Sequence, residues 1–181
     1  MADSSYLAFD LGAESGRAIL GRLQGDRLEV REVGRFPNGP VEVRGHLHWD
    51  VFRLFDEMKA CLRRCAQEAG STPESLGLDT WGVDFALLDR DGKILGLPYC
   101  YRDRRTEGAM DSFFRRVPRE LVYERTGIQF LPINTLFQLE SMVRDASPLL
   151  EAASDLLFMP DLFHYLLAGV KKTEFTFATT S

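Results

Sequence analysis

The first 33 residues hold three β-type runs in a row, with nothing but tight turns between them. Tyr6-Leu7-Ala8-Phe9 is a short apolar run ending at Asp10, and the Gly-bearing turn Leu11-Gly12-Ala13-Glu14-Ser15-Gly16 leads into Arg17-Ala18-Ile19-Leu20-Gly21-Arg22-Leu23. Gly25-Asp26 makes a hairpin turn into Leu28-Glu29-Val30-Arg31-Glu32-Val33, whose alternation of apolar and polar residues predicts a strand with one buried face. A glycine-rich turn that feeds back into a strand differs from the strand–loop–helix opening of a Walker loop. The chain also lacks both the Lys of GxxxxGK[ST] and the GxGxxG spacing.

Beyond these runs the pattern changes. Pro37-Asn38-Gly39-Pro40 is a turn cluster, followed by a short hairpin, Val41–Val43 with His46–His48, about Gly45. Asp50 then reads as a helix N-cap. Val51, Leu54, Phe55, Met58, Cys61, Leu62 and Cys65 follow at three- and four-residue spacing until Gly70. Ser75–Thr80 reads as a core strand, and Phe85–Leu88 with Lys93–Leu97 as a hairpin about Asp89-Arg90-Asp91-Gly92. From Arg104 the pattern is helical, broken at Pro118, Gly127 and Pro132, with a helix over Asn134–Arg144. Leu156–Met159 predicts one more strand, and Pro160 opens a helix through Leu167 that Gly169 closes. The order predicts an α/β domain covering residues 1–181.

A chain of 181 residues buries roughly 70% of its unfolded surface and needs no disulfide or metal staple. Its net charge of −5 excludes the basic footprint of a nucleic-acid-binding module and the polybasic anchor of a membrane-surface protein. The start, Met1-Ala2-Asp3-Ser4-Ser5, carries an acid where a secretory signal carries Lys or Arg, and no run reaches the roughly 18–20 apolar residues of a membrane helix. Three cysteines without a CxxC pair read as small buried apolar residues in a reducing compartment, so the expected location is the cytoplasm.

Four blocks carry candidate chemistry. In Asp10–Arg17, the glycines Gly12 and Gly16 let backbone N–H groups approach phosphate oxygens, Ser15 adds a hydroxyl and Arg17 a charge. Asp10 beside them suits Mg²⁺ held through water. A plain hairpin turn with a capping Asp is the alternative. In Leu78–Phe85, the pair Trp81-Gly82 flanked by Asp79 and Asp84 puts an aromatic face beside exposed backbone and acceptors, which suits a sugar. The alternative is a core Trp with loop-capping acids. Tyr99–Thr106, with Arg102 and Asp103, is either a polar site or a solvated ion-pair face, and Asn134 in Thr126–Leu136 is either a buried recognition amide or a helix N-cap. His46 and His48 fall on one side of a short strand, where packing competes with ligand pairing.

Taken in order, DLGAESGR at 10–17, HWD at 48–50, DTWGVDF at 79–85, YRD at 101–103, TGIQFLP at 126–132 and MPD at 159–161 resemble the N-terminal domain of the rhamnulokinase branch of the FGGY carbohydrate kinases. The resemblance covers the chain from about Tyr6 to its last residues. It implies a ribonuclease-H-like, actin-type ATPase domain: a mixed five-stranded sheet whose first three strands are antiparallel, with helices on its faces. It implies transfer of the γ-phosphate of ATP, with Mg²⁺, to a ketose hydroxyl, L-rhamnulose to L-rhamnulose 1-phosphate. Asp10, Gly12, Ala13, Glu14, Ser15, Gly16 and Arg17 then serve the nucleotide and its metal. Gly82, with Trp81 beside it, contacts the sugar, and Arg102, Asp103 and Asn134 are further sugar-side candidates. Glu14 departs from the small hydroxyl residue usual in related sequences, and an acid there repels a triphosphate unless it points away.

In such kinases a second, C-terminal domain and the Asp that serves as general base follow beyond the point matching Ser181. The expectation is therefore a truncated N-terminal domain, inactive alone, whose missing partner is the rest of its own polypeptide. The competing expectation is a non-catalytic actin-type module that binds sugar or nucleotide as a regulator.

Overall fold

The computed structural model describes residues 4–69 and 72–179, which fall into two compact units. The first comprises Met1–Gly39 and Asp50–Trp81, the second Pro40–Trp49 and Gly82–Ser181.

The first unit is a sheet with one helix. Strands β1 (Ser4–Leu11), β2 (Ser15–Gln24) and β3 (Arg27–Pro37) form an antiparallel meander, and β6 (Ser75–Thr80) adds parallel to β1, giving the order β3-β2-β1-β6. Helix α1 (Val51–Ala69) supplies the crossover that a parallel neighbour requires. Asp50 caps it as predicted, its Oδ1 accepting from Arg53 N–H at 3.0 Å. The spacing of Val51, Leu54, Met58, Cys61 and Cys65 places all five on one fully buried stripe, against the Leu7, Phe9 and Leu11 side of the core. Gly34 is where helix and sheet come closest, since a Cβ there would lie 2.5 Å from Cys61 Sγ.

Three expectations are corrected here. The sheet holds four strands among the described residues, not five, because the strand predicted near 156–159 pairs elsewhere. Strand β6 is an edge strand whose residues are exposed or half-buried, not a core strand, because β1 is its one sheet partner among the described residues. In β3 the alternating residues Leu28 and Val30 are exposed, and Val33 and Phe36 are buried instead. The register shift at Ala18/Ile19 explains this: two residues, 32 and 34, pair on either side of Val33, so the inward face changes parity there. Gly70 lies outside the described residues.

The second unit is built of short pieces. Strands β4 (Pro40–Val43) and β5 (His46–Trp49) form the predicted hairpin, turning on Arg44 and Gly45, both at positive φ as primed two-residue turns require. The other edge of β5 is tied to the 98–100 segment by Trp49 N–H to Pro98 O and Cys100 N–H to Leu47 O, at 2.8 and 2.9 Å. Strand β7 (Phe85–Leu88) pairs antiparallel with β8 (Asp155–Phe158). The predicted partner Lys93–Leu97 keeps a bridge from Ile94 to Leu88 and two backbone bonds, Leu95 N–H to Leu87 O at 2.8 Å and Asp89 N–H to Lys93 O at 2.9 Å.

Helices α2 (Ala109–Phe114), α3 (Arg119–Thr126), α4 (Thr135–Arg144), α5 (Pro148–Ala152), α6 (Met159–Ala168) and α7 (Phe175–Ala178) complete the unit. Gly127 and Gly169 end α3 and α6 in the left-handed conformation, as the sequence pattern predicted. Phe85, Leu87, Met142 and Phe158 form the core beneath β7 and β8. Phe113, Phe114, Phe130 and Phe137 pack into a second cluster between α2 and α4, with Phe137 edge-on to Phe113 and Phe114 and Phe130 tilted against Phe114. No helix among the described residues is long and apolar enough to cross a membrane.

Candidate functional site

Residues 12–14 join β1 to β2 in a turn whose hydrogen bonds are unequally used. Gly12 N–H donates to Ser15 O at 2.9 Å, and Asn38 takes two carbonyls: its Nδ2 donates to Gly12 O at 2.7 Å and its N–H to Glu14 O at 2.9 Å. Among the described residues the N–H groups of Ala13 and Glu14 make no backbone hydrogen bond. Asn38 therefore holds two carbonyls of the turn, while the Ala13 and Glu14 amides keep no backbone partner. The side chain of Glu14 is exposed, so its acid is well solvated. The two glycines do different work. A Cβ on Gly12 would press on Ser15 O at 3.3 Å, whereas one on Gly16 would sit 2.3 Å from the Phe36 ring and 2.9 Å from Leu11 Cδ2. Gly16 is a buried packing glycine that lets Phe36 cover the hairpin.

Asp10 and Arg17 face each other in the β1–β2 register, and the guanidinium Nε and Nη2 donate to Asp10 Oδ2 at 2.8 and 2.5 Å. Both side chains are nearly half exposed, 44% and 43%. The carboxylate is thus an accessible, partnered group at the tip of a strand. Both bonds fall on one oxygen, which suits a carboxylate that also meets a hydrated cation. No group of three or more His, Cys, Asp or Glu side chains among the described residues is placed to hold a metal ion, so a magnesium ion would rely on ligand phosphate oxygens and water for most of its shell.

The DTWGVDF block runs from the first unit into the second. Trp81 closes the first: its N–H donates to Leu11 O at 3.1 Å and its side chain is buried, 8% exposed. The indole belongs to the core, as the bland alternative had it, and little of its face is open for stacking. Gly82 opens the second unit and is exposed; no atom lies within 4 Å of where its Cβ would sit, and its φ is not left-handed. Neither packing nor backbone geometry within this chain calls for glycine there. Asp84 is fully buried. Its Oδ2 accepts from Trp49 Nε1 at 2.5 Å and Tyr101 N–H at 3.1 Å, and its Oδ1 from Gln138 Nε2 at 2.9 Å.

Three sugar-side candidates land in different surroundings. Arg102 is exposed, with its guanidinium 5.3 Å from the centre of the Tyr101 ring. Asp103 is 4% exposed and both its oxygens are committed: Oδ2 accepts from Leu47 N–H at 2.7 Å, Oδ1 from Arg105 N–H at 2.9 Å and from His46 Nδ1 at 3.2 Å. It braces the β4–β5 hairpin and caps the short 3-10 turn Arg104–Thr106. Asn134 precedes α4 but does not cap it with its side chain; Oδ1 instead accepts from Leu131 N–H at 2.7 Å, closing the preceding turn. His48 stacks on Tyr99, with ring centres 4.4 Å apart, and its Nδ1 pairs with Leu97 O, so it packs.

Burial pushes the Asp103 carboxyl up, but the hydrogen bonds from Leu47, Arg105 and His46 together outweigh it and hold the group below the ordinary value of 3.8. A depressed folded value means the bound carboxylate stabilises fully above the unfolded value and loses that stabilisation as pH falls through the folded one. Asp103→Asn is therefore expected to lower the unfolding free energy at neutral pH, with the gap to wild type closing below about pH 4. Denaturant melts across that range measure it; a gap that stays constant with pH refutes the assignment. All three cysteines are buried thiols outside any disulfide, and burial pushes the Cys100 thiol up to about 11.

Asp84, Gln138, Thr135 and Arg105 form a buried polar network in the second unit; Arg105 and Thr135 lie inside the marked blocks Tyr99–Thr106 and Thr126–Leu136 but are not among the candidates named there. Asp84 was visible inside a block already marked for sugar. Gln138 carried no signal beyond its place in a helix.

Residues 5–181 match the FGGY family of carbohydrate kinases, N-terminal domain. The chain is 46% identical over 177 residues to the rhamnulokinase of Bacteroides thetaiotaomicron, covering 98% of this chain and 36% of the relative. It is 43% identical to the rhamnulokinase of Pectobacterium carotovorum, covering 100% of this chain and 37% of the relative. Among solved structures it is similar to a gluconate kinase from Lactobacillus acidophilus, with a TM-score of 0.83 at 15% identity over 98% of this chain and 36% of that one. A ligand-bound xylulose kinase from the same organism gives 0.82 at 15% identity over 97% of this chain and 36% of that one. These likenesses show the fold, the actin-type ATPase domain with its mixed sheet. The chain thus spans little more than a third of the length of the curated relatives it matches, and over that third it is a member of the FGGY family of carbohydrate kinases, as its N-terminal domain.

Proposed function

We propose that this chain is the N-terminal domain of a longer, cytoplasmic, ATP-dependent kinase that phosphorylates a ketose, converting L-rhamnulose to L-rhamnulose 1-phosphate. The observation that carries this reading is the 46% identity to a rhamnulokinase along nearly the whole chain. The two amides of the 12–14 turn that keep no backbone partner, with the accessible Asp10 carboxylate, support it, because phosphoryl transfer is chiefly positioning and electrostatic stabilisation. In this reading the Ala13 and Glu14 amides, with Ser15 and Arg17, receive phosphate oxygens, and the exposed Glu14 side chain points its charge into water. Asp10 orients the hydrated magnesium ion, which when bound neutralises charge developing on the phosphates. The open Gly82 backbone receives the sugar, with Trp81 beside it in the chain and Arg102 as a further candidate. The general base lies outside this chain, so the domain alone does not turn over.

The test is a phosphorylation assay of the full-length enzyme with MgATP and a panel of ketoses and polyols. L-rhamnulose is expected to be the preferred acceptor by at least about tenfold in kcat/KM. Preference for another ketose overturns the substrate but not the class. Binding of sugar or nucleotide without any turnover favours a regulatory module instead.

A further inference from the structure

Val83 holds a backbone conformation that its own side chain disfavours. Its φ is +66°, in the left-handed region where a β-branched residue is a genuine outlier. Asp84 N–H donates to Gly82 O at 2.9 Å, closing a three-residue turn around Val83; with positive φ this is the rare, strained form of γ-turn. Strain of this kind persists only where the surroundings over-determine it.

The surroundings here are two side chains of α4. Thr135 Oγ1 donates to Val83 O at 2.6 Å. Gln138 Nε2 donates to Asp84 Oδ1 and Ile133 O, both at 2.9 Å, and more distantly to Val83 O at 3.3 Å. The orientation of that carboxamide is not free. Arg105 Nη2 donates to Gln138 Oε1 at 2.6 Å, and its Nη1 to Gln138 O at 2.9 Å. A cation on one side and a carboxylate on the other fix which end of the amide faces the turn. Gln138 is 1% exposed, so none of these bonds competes with water. The clamped end of the turn is buried, and its other end is the open backbone of Gly82.

We propose that Gln138, assisted by Thr135, is a positioning residue for the sugar: by clamping Val83 and Asp84 it locks the strained turn and fixes the Gly82 backbone against which a ketose hydroxyl docks. This rests on the ketose-kinase reading above. Gln138 acts through Val83 and Asp84, so its loss moves the sugar subsite and leaves the nucleotide turn at 12–14 untouched.

The experiment is Gln138→Met in the full-length enzyme, which keeps length and bulk but removes the donors. The ketose KM is expected to rise about tenfold, with the ATP KM and kcat within about twofold of wild type. Val83→Gly is then added, because glycine adopts positive φ without strain and needs no clamp. The double variant is expected to recover a ketose KM within about threefold of wild type. General damage predicts the opposite, since glycine also deletes a buried side chain and the two losses would add. Amide hydrogen exchange at Asp84, whose N–H closes the turn, reads the clamp without any substrate; it should quicken in Gln138→Met and slow again in the double variant. An unchanged ketose KM, a parallel rise in the ATP KM, or an additive double variant overturns the proposal. If the wild-type enzyme phosphorylates no ketose, the functional reading falls with its sugar docking, and unchanged exchange at Asp84 would then overturn the clamp itself.

Discussion

Asp10→Ala in the full-length kinase is expected to lower kcat about a thousandfold while shifting Tm by no more than a few degrees. The two halves of that expectation come from different magnitudes. A carboxylate that orients the metal on a transferring phosphoryl group contributes several kcal/mol of transition-state stabilisation, and each ~1.4 kcal/mol is tenfold in rate. The ion pair with Arg17 lost at the same time is nearly half exposed on both sides, and a pair so solvated contributes under ~1 kcal/mol to folding. For a domain of this size that is roughly 2–4 °C in Tm. Steady-state kinetics with saturating ketose, set beside a thermal melt, separates the two. A near-normal kcat would reduce the hairpin at 10–17 to a plain turn and remove the phosphate-loop assignment with it.

What the sequence discloses about this chain follows the range of the interactions involved. The β1–β2–β3 meander, the β4–β5 turn at Gly45 and the Asp50 cap of α1 are each decided within a few residues, so turn chemistry and periodicity suffice. The partner of β7 is decided by β8, roughly seventy residues away, and the nearer turn at Asp89–Gly92 suggested a local hairpin that survives as one bridge and two backbone bonds rather than a strand. The same limit governs the site. DTWGVDF marks the neighbourhood of the buried Asp84 network, but nothing in the letters tells an acid that is buried and hydrogen-bonded through both oxygens, Asp103, from one that is accessible, Asp10. Glycines in motifs divide the same way: Gly16 is required by the Phe36 ring, while Gly82 has empty space where a side chain would go. Gln138 was invisible because a polar residue one position from Phe137 reads as a solvent-facing interruption of a helix, and only the fold shows that Arg105 and Asp84 flank it.

Replacing Asp84 is expected to damage the fold more than any other single polar change, and asparagine is expected to be nearly as harmful as alanine. Asp84→Ala takes a charged acceptor from three donors, Trp49 Nε1, Tyr101 N–H and Gln138 Nε2; Gln138 Nε2 keeps Ile133 O and Val83 O, while the deeply buried Trp49 Nε1 and the Tyr101 N–H lose the carboxylate they share. Each unsatisfied buried donor costs ~1–3 kcal/mol, and removing one member of a buried charged network typically costs ~3–5 kcal/mol in all. That is a large share of the ~5–15 kcal/mol by which a domain is stable, and corresponds to roughly 6–20 °C in Tm. Asparagine keeps the shape but has one acceptor oxygen, and donors arrive at Asp84 from both sides. If the amide oxygen serves Trp49 and Tyr101, its NH₂ faces Gln138 Nε2. Gln138 cannot turn to offer its oxygen, because Arg105 Nη2 already holds that oxygen at 2.6 Å and a flip would set NH₂ against a guanidinium. The polarity of the chain Arg105–Gln138–Asp84 is therefore set by the cation at one end, and only a carboxylate completes it at the other. Thermal and denaturant melts of Asp84→Asn and Asp84→Ala should agree within ~1 kcal/mol. An asparagine variant as stable as wild type would mean that Gln138 does turn, and that the fixed orientation argued for this network is wrong.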